Sequence, residues 1–219
     1  MSGVGCRRAP VLGTELFPGP LDGTVTDGVP VVVGTTRDEW LGVWGAAPAG
    51  ALPPPDLAAP FRAKGLSADA VRKAYASRGY VSDTALFAAF DTDRFFRRNA
   101  VALADELATR GAPVWSYRLD WAPTLDHGSL GAYHALDLAL VFGSLHDERS
   151  TGANPPVGLA REMHQAWANF ARHGDPNGSG VPPWPRYDVE SRSTLLFDQP
   201  SRVEEDPDQH TRRLWDDAL

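Results

Sequence analysis

The stretch VPVVVG, Val29–Gly34, is a short, wholly apolar β-branched run. A strand with one wet face alternates apolar and polar positions. An unbroken β-branched run instead predicts a strand covered on both faces, as in a parallel sheet. Gly34-Thr35-Thr36 turns it into Asp38-Glu39-Trp40-Leu41, read as the start of a short helix. Residues 1–28 are rich in Gly and Pro and show no period, and AAPAGALPPPDLAAP (Ala46–Pro60) reads as a Pro/Ala loop. Ser67 caps a helix over SADAVRKAYASRG that stops at Gly79. From Thr92 to Arg110, the spacing of Phe96, Ala100, Leu103 and Leu107 predicts one apolar face of a helix about five turns long, closed by Gly111. PVWSYRLD (Pro113–Asp120) reads as a strand, followed by a loop from Trp121 to Tyr133 that delivers His134. LDLALVFG (Leu136–Gly143) is apolar but short, so its pattern leaves helix and strand both open. The strongest helical pattern is LAREMHQAWANFARHG. Leu159, Met163, Trp167 and Phe170 share one side, Arg172 and His173 suit the dipole of the last turn, and Gly174 ends it. TLLFD (Thr194–Asp198) predicts a strand and Gln209 to Leu219 a terminal helix. Strands alternating with helices, without an internal repeat, indicate an α/β sheet protein.

Composition narrows the function classes. A net charge of −7 with no basic cluster argues against nucleic-acid or anionic-membrane partners. No apolar run approaches the roughly 20 residues of a membrane span. The first residues, MSGVGCRRAPVLGTELF, carry arginines without an apolar stretch behind them, so no signal peptide is expected and the default compartment is the cytoplasm. With Cys6 the single cysteine, no intrachain disulfide can form, and its place near the chain end suits no catalytic role. His127, His134, His146 and the HDE run at His146–Glu148 lack the ligand spacing of a metal site, so neither metal nor cofactor is expected.

In an open α/β sheet, functional side chains collect beyond the carboxyl ends of the strands. Glu39 follows the first strand and His134 lies in the loop after the second. A carboxylate that orients an imidazole, and an imidazole that accepts a proton from a nucleophile, are two-thirds of a hydrolytic triad. In α/β-hydrolases the chain order is nucleophile, acid, histidine, which would put the serine upstream of Glu39. The sequence contains no G-x-S-x-G, and neither Ser116 nor Ser129 has that setting. Plainer readings stand beside these. Asp38 and Glu39 together could simply favour a helix N-terminus, and His134 could be an ordinary loop histidine. His127 and His146 read as surface residues, and Asp126 is a rival orienter for a histidine. Trp121 could line a substrate pocket or belong to the core, while His164 and Trp167 read as parts of a packed helix.

Three segments carry a resemblance. PVVVGTTRDEW (Pro30–Trp40) resembles the acid segment of type-B carboxylesterases (the cholinesterase-like α/β-hydrolases), a buried strand followed by G-T-x-x-D-E. GAYHALDLALVFG (Gly131–Gly143) is similar to their histidine segment. W-x-x-F-A-x-x-G-D-P-N (Trp167 to Asn177), with WPRY (Trp184–Tyr187) after it, is a third match in the same order; DGTV at Asp22–Val25 extends the likeness. The resemblance implies the C-terminal part of an α/β-hydrolase fold: a single partial domain over 1–219, with a mostly parallel partial sheet and flanking helices. It gives Glu39 the place of the catalytic acid, His134 that of the general base, and Asp137 that of a supporting acidic group. The chain departs from the family pattern in a shortened stretch after Asp22-Gly23 and in lacking both the serine elbow and an H-G-G-G-type oxyanion loop. These departures imply a hydrolase fragment that is inactive alone and acts on a small ester only when complemented. Its partner would be an N-terminal esterase half, or a second copy of the chain, at the exposed edge of the first strand. The alternatives are a non-catalytic cholinesterase-like binding module and a truncated product without function.

Overall fold

The computed structural model describes residues 28–42, 67–80 and 82–218. Cys6, the DGTV run and the Ala46–Pro60 loop therefore lie outside the described residues. Strands β1 (Val31–Thr36), β2 (Val114–Leu119), β3 (Ser193–Phe197) and β4 (Arg202–Glu205) form a sheet in that order. β1, β2 and β3 run parallel and β4 closes antiparallel on β3. The expected α/β architecture, a partial, mostly parallel sheet with helices on its faces, is what the chain adopts.

Both faces of β1 and β2 are covered, which is why the apolar run carries no alternation. On one face Val31 and Val33 join Val114, Leu107 and Ala104, the last two from helix α3 (Arg98–Thr109). On the other, Val32, Trp115, Tyr117 and Leu119 pack with Leu136 and Leu140 of the short helix α4 (Leu136–Val141) and Leu159 and Met163 of helix α6 (Val157–His173). A short helix α5 (Glu148–Thr151) lies between α4 and α6. A third cluster ties helices α1 (Ala68–Ala76) and α2 (Asp83–Thr92) to the C-terminal helix α7 (Gln209–Ala218) through Val71, Tyr75, Phe90 and Trp215. As expected, the Ser67 hydroxyl caps α1 by accepting from the Ala70 amide.

Several expectations need correction. The helix expected from Thr92 begins a full helix earlier, at Asp83, where the Ser82 hydroxyl accepts from the Ala85 amide. Its sequence DTALFAAFDT is buried on most sides, so it offers little periodicity to detect. It passes through a π-turn at Asp93–Arg97, in which the Arg98 amide closes on the Asp93 carbonyl, and continues as α3. The inward face differs accordingly: Leu103 is 40% exposed, while Arg97 and Ala104 point inward with Leu107. β4 escaped the sequence reading because Arg-Val-Glu-Glu has no apolar side; its charges suit an outer strand. Leu136–Val141 resolves as a helix, with Leu136 and Leu140 one turn apart against the core.

Gly34 stands opposite Tyr117 in the β1–β2 register. A Cβ there would lie 2.3 Å from the Tyr117 ring and its carbonyl oxygen. The missing side chain lets that ring lie across β1, and its hydroxyl donates to Asp137 Oδ2 at 2.9 Å. The strand pair is thereby tied to the first turn of α4, immediately after His134.

Candidate active site

β1 ends at Thr36, and the turn from Arg37 to Trp40 folds back over the strand end. Glu39, only 7% exposed, accepts the Thr36 amide at Oε1 (2.8 Å). Its second oxygen, Oε2, lies 2.6 Å from Nδ1 of His134. The imidazole is 61% exposed, so its Nε2 edge faces away from the carboxylate toward open space. A buried carboxylate with one oxygen tied to backbone and the other on a ring nitrogen holds the imidazole in a single orientation. The exposed nitrogen is then left for chemistry. The Phe96 ring packs against the imidazole at 5.3 Å between centroids.

Asp38 fixes the distance between the acid turn and the histidine loop. Its amide donates to the Ala132 carbonyl (3.0 Å), and its Oδ2 accepts the Ala132 amide (2.9 Å). Oδ2 also takes Arg37 Nε at 2.9 Å, while Oδ1 accepts the Tyr80 hydroxyl at 2.6 Å. Burial and the facing Asp38 charge hold the Tyr80 hydroxyl neutral far above its ordinary range, so it remains a donor. Gly131 makes this approach possible. It sits at φ +59°, and a Cβ there would lie 2.4 Å from Asp38 Oδ2. Ala135 also adopts a positive φ, +65°, so backbone conformations that L residues disfavour flank His134 on both sides. Gly131→Ala is expected to destabilise the fold by about 2 kcal/mol and to loosen the histidine loop. Chemical denaturation measures the first effect, and amide exchange at Ala132 and Tyr133 the second.

The sequence-expected residues thus separate. Glu39 and His134 meet. Asp137 bonds Tyr117 and the Leu138 amide rather than the imidazole. Burial first, and then the neighbouring Asp137, push the Tyr117 hydroxyl well above its usual pKa, keeping it a neutral donor. Asp126 is no rival orienter: it accepts from Ser129 Oγ at 2.6 Å on an exposed loop. Trp121 packs against the main core. His127 and His146 are exposed, and His164 Nδ1 lies 2.8 Å from the Val141 carbonyl. Among the described residues no cluster of His, Cys, Asp or Glu has a metal-holding arrangement, and no helix is long and apolar enough to cross a membrane. Reading the sequence missed Asp38 and Tyr80. The acidic pair straight after a strand was the available signal for Asp38. Tyr80 comes from a distant turn and carries no local mark.

A cavity of about 250 Å³ opens on the α3/α7 side of the sheet, lined by residues including Arg97, Arg118, Tyr187, Asp208 and Trp215. Neither Glu39 nor His134 lines it.

Comparison with known proteins shows the family. The carboxylesterase family matches residues 62–215, a stretch that contains His134 and Asp137 and begins after Glu39. The para-nitrobenzyl esterase of Bacillus subtilis is 34% identical over 191 residues, spanning 85% of this chain and 37% of the relative. The phenmedipham hydrolase of Pseudarthrobacter oxydans is 29% identical over 187 residues, 81% of this chain and again 37% of its own length. A crystal structure of a Geobacillus stearothermophilus carboxylesterase superposes with a TM-score of 0.72 at 31% identity, covering 89% of this chain and 42% of that one. The chain therefore spans about two-fifths of the length of the relatives it matches.

Proposed function

The chain belongs to the carboxylesterase family, and on that premise we propose that it supplies the acid and the base of a Ser-Glu-His triad for hydrolysing small carboxylic esters. The observation that carries this reading is the 2.6 Å contact between Glu39 Oε2 and His134 Nδ1, with the opposite ring edge exposed. The serine is not in a G-x-S-x-G setting anywhere in these 219 residues, so it comes from a complementary portion of an esterase fold. That portion pairs along β1, which among the described residues is hydrogen-bonded on one side only. An open apolar strand edge is a template for another strand.

In the assembled site His134 Nε2 accepts the serine hydroxyl proton as Oγ bonds to the ester carbonyl carbon. The tetrahedral adduct then expels the alcohol, which takes that proton from Nε2. Water attacks the acyl-enzyme, giving its proton to the same nitrogen, and the carboxylic acid leaves as Oγ recovers a proton. Glu39 keeps Nδ1 protonated and faces the imidazolium while it exists.

Co-expression with the nucleophile-bearing portion of a type-B esterase, followed by a p-nitrophenyl ester assay, tests the proposal. The pair is expected to hydrolyse the ester and the chain alone to match buffer. A pair that assembles but does not exceed buffer contradicts the reading. Turnover by the chain alone contradicts the need for a second portion.

A further inference from the structure

Glu39 gains its place from a turn, and turns are usually the least constrained part of a strand end. Here the turn is gripped from outside. Arg97, the last residue of the π-turn, is 6% exposed and projects its guanidinium beneath the end of β1. Its Nη2 donates to two successive carbonyls, Thr36 O and Arg37 O, each at 3.0 Å. Its Nη1 donates to Asp208 Oδ2 at 2.8 Å, which fixes the guanidinium plane from the opposite side. The Thr36 amide is the donor to Glu39 Oε1. One planar cation therefore holds the carbonyl of the very residue whose amide holds the catalytic carboxylate. The neighbouring helix end adds a second tie: Thr92 Oγ1 accepts the Trp40 amide at 3.1 Å.

We propose that Arg97 is a positioning residue for Glu39: its fork across the Thr36 and Arg37 carbonyls sets where the carboxylate meets His134. The inference rests on the Glu39–His134 pair acting as acid and base. Lysine cannot replace the fork, because a single ammonium cannot hold two carbonyls and a carboxylate in one plane. The π-turn supplies the geometry. The same short segment places Phe96 against the imidazole and Arg97 under the acid turn, so both members of the pair lean on one helical defect.

The test uses the full chain labelled with 15N-histidine and the same chain complemented for ester hydrolysis. In the parent chain the Nδ1–H resonance of His134 is expected at low field, identified by its loss in His134→Gln. Arg97→Met should abolish or broaden that resonance. In the complemented enzyme it should lower kcat roughly 10–100-fold with KM within about twofold, the signature of a displaced catalytic group. Arg97→Lys keeps the buried cation, and so the fold, and should fall between parent and Arg97→Met. If Arg97→Met does not fold, Arg97→Lys decides alone, and parental resonance and kcat in it overturn the proposal. A low-field resonance and kcat unchanged in folded Arg97→Met overturn it equally. A parent chain without the resonance refutes the Glu39–His134 pairing itself, which separates that failure from failure of Arg97.

Discussion

His134→Ala in the complemented esterase is expected to lower kcat by about 10⁴–10⁶-fold, the range seen when the base of a serine triad is removed. The size follows from the role. Without an acceptor at Nε2 the serine must attack as a neutral alcohol, and no group in reach returns a proton to the leaving alcohol. Glu39→Gln should be gentler, at about 10⁴-fold, because the ring and the nucleophile remain. The amide group can present its NH₂ to Nδ1, which turns the imidazole into the tautomer with its proton on Nε2, where it cannot act as base. The two losses should not add in the double variant, since residues that act as a unit are removed together by either change. Binding should be left nearly alone: neither side chain would hold the ester, so KM is expected within a few-fold of the parent. Steady-state kinetics on a p-nitrophenyl ester reads all of this. Retention of more than about a tenth of the activity in His134→Ala would remove the imidazole from its assigned role, because losing a general base alone costs about 10²–10⁴-fold.

The parts of this site that were legible in the sequence are those whose signals are local. VPVVVG announced a strand with two covered faces because each side of β1 meets its own apolar cluster. Glu39 and His134 could be marked because each follows a strand end, where parallel sheets concentrate chemistry. Distances could not be read, since nothing near Glu39 in sequence says that the Asp38 carboxylate reaches the Ala132 amide. The π-turn was invisible for a similar reason. A face counted as Phe96, Ala100, Leu103 and Leu107 assumes a regular helix. The chain instead turns a charged residue, Arg97, inward, because buried carbonyls and Asp208 await it. Apolar periodicity takes an arginine as a solvated position, and it has no means of registering a buried ion network.

That network leads to the largest expected change in stability. Asp208, just ahead of α7, accepts from Arg97 Nη1 at 2.8 Å and Arg118 Nη1 at 2.7 Å, and pairs with Arg78 Nε at 3.2 Å. Arg78 also bonds Asp93 at 2.9 Å, and Arg118 forks onto Asp120 at 2.5 and 2.7 Å. Three guanidiniums thus face three carboxylates, with every side chain at 13% exposure or less. Asp208→Asn leaves one positive charge uncompensated and is expected to destabilise the chain by about 3–5 kcal/mol, because an unpaired buried charge loses more than the pair had gained. Urea denaturation should show the loss, and α7 should exchange its amides faster, since Asp208 anchors its first turn to the sheet. The pH dependence carries a second signature. Burial alone would raise the Asp208 pKa, yet Arg97, Arg78 and Arg118 hold it far below the ordinary carboxylate range. A group depressed in the folded state stabilises fully above its unfolded pKa of about 3.9 and loses that contribution as pH falls below it. The gap between parent and Asp208→Asn should therefore be constant near neutrality. It should narrow by up to about 1.4 kcal/mol per pH unit as the solution is acidified past that point. A gap smaller than about 1 kcal/mol at pH 7, or one that widens in acid, would mean the arginines find other partners and that Asp208 does not anchor α7.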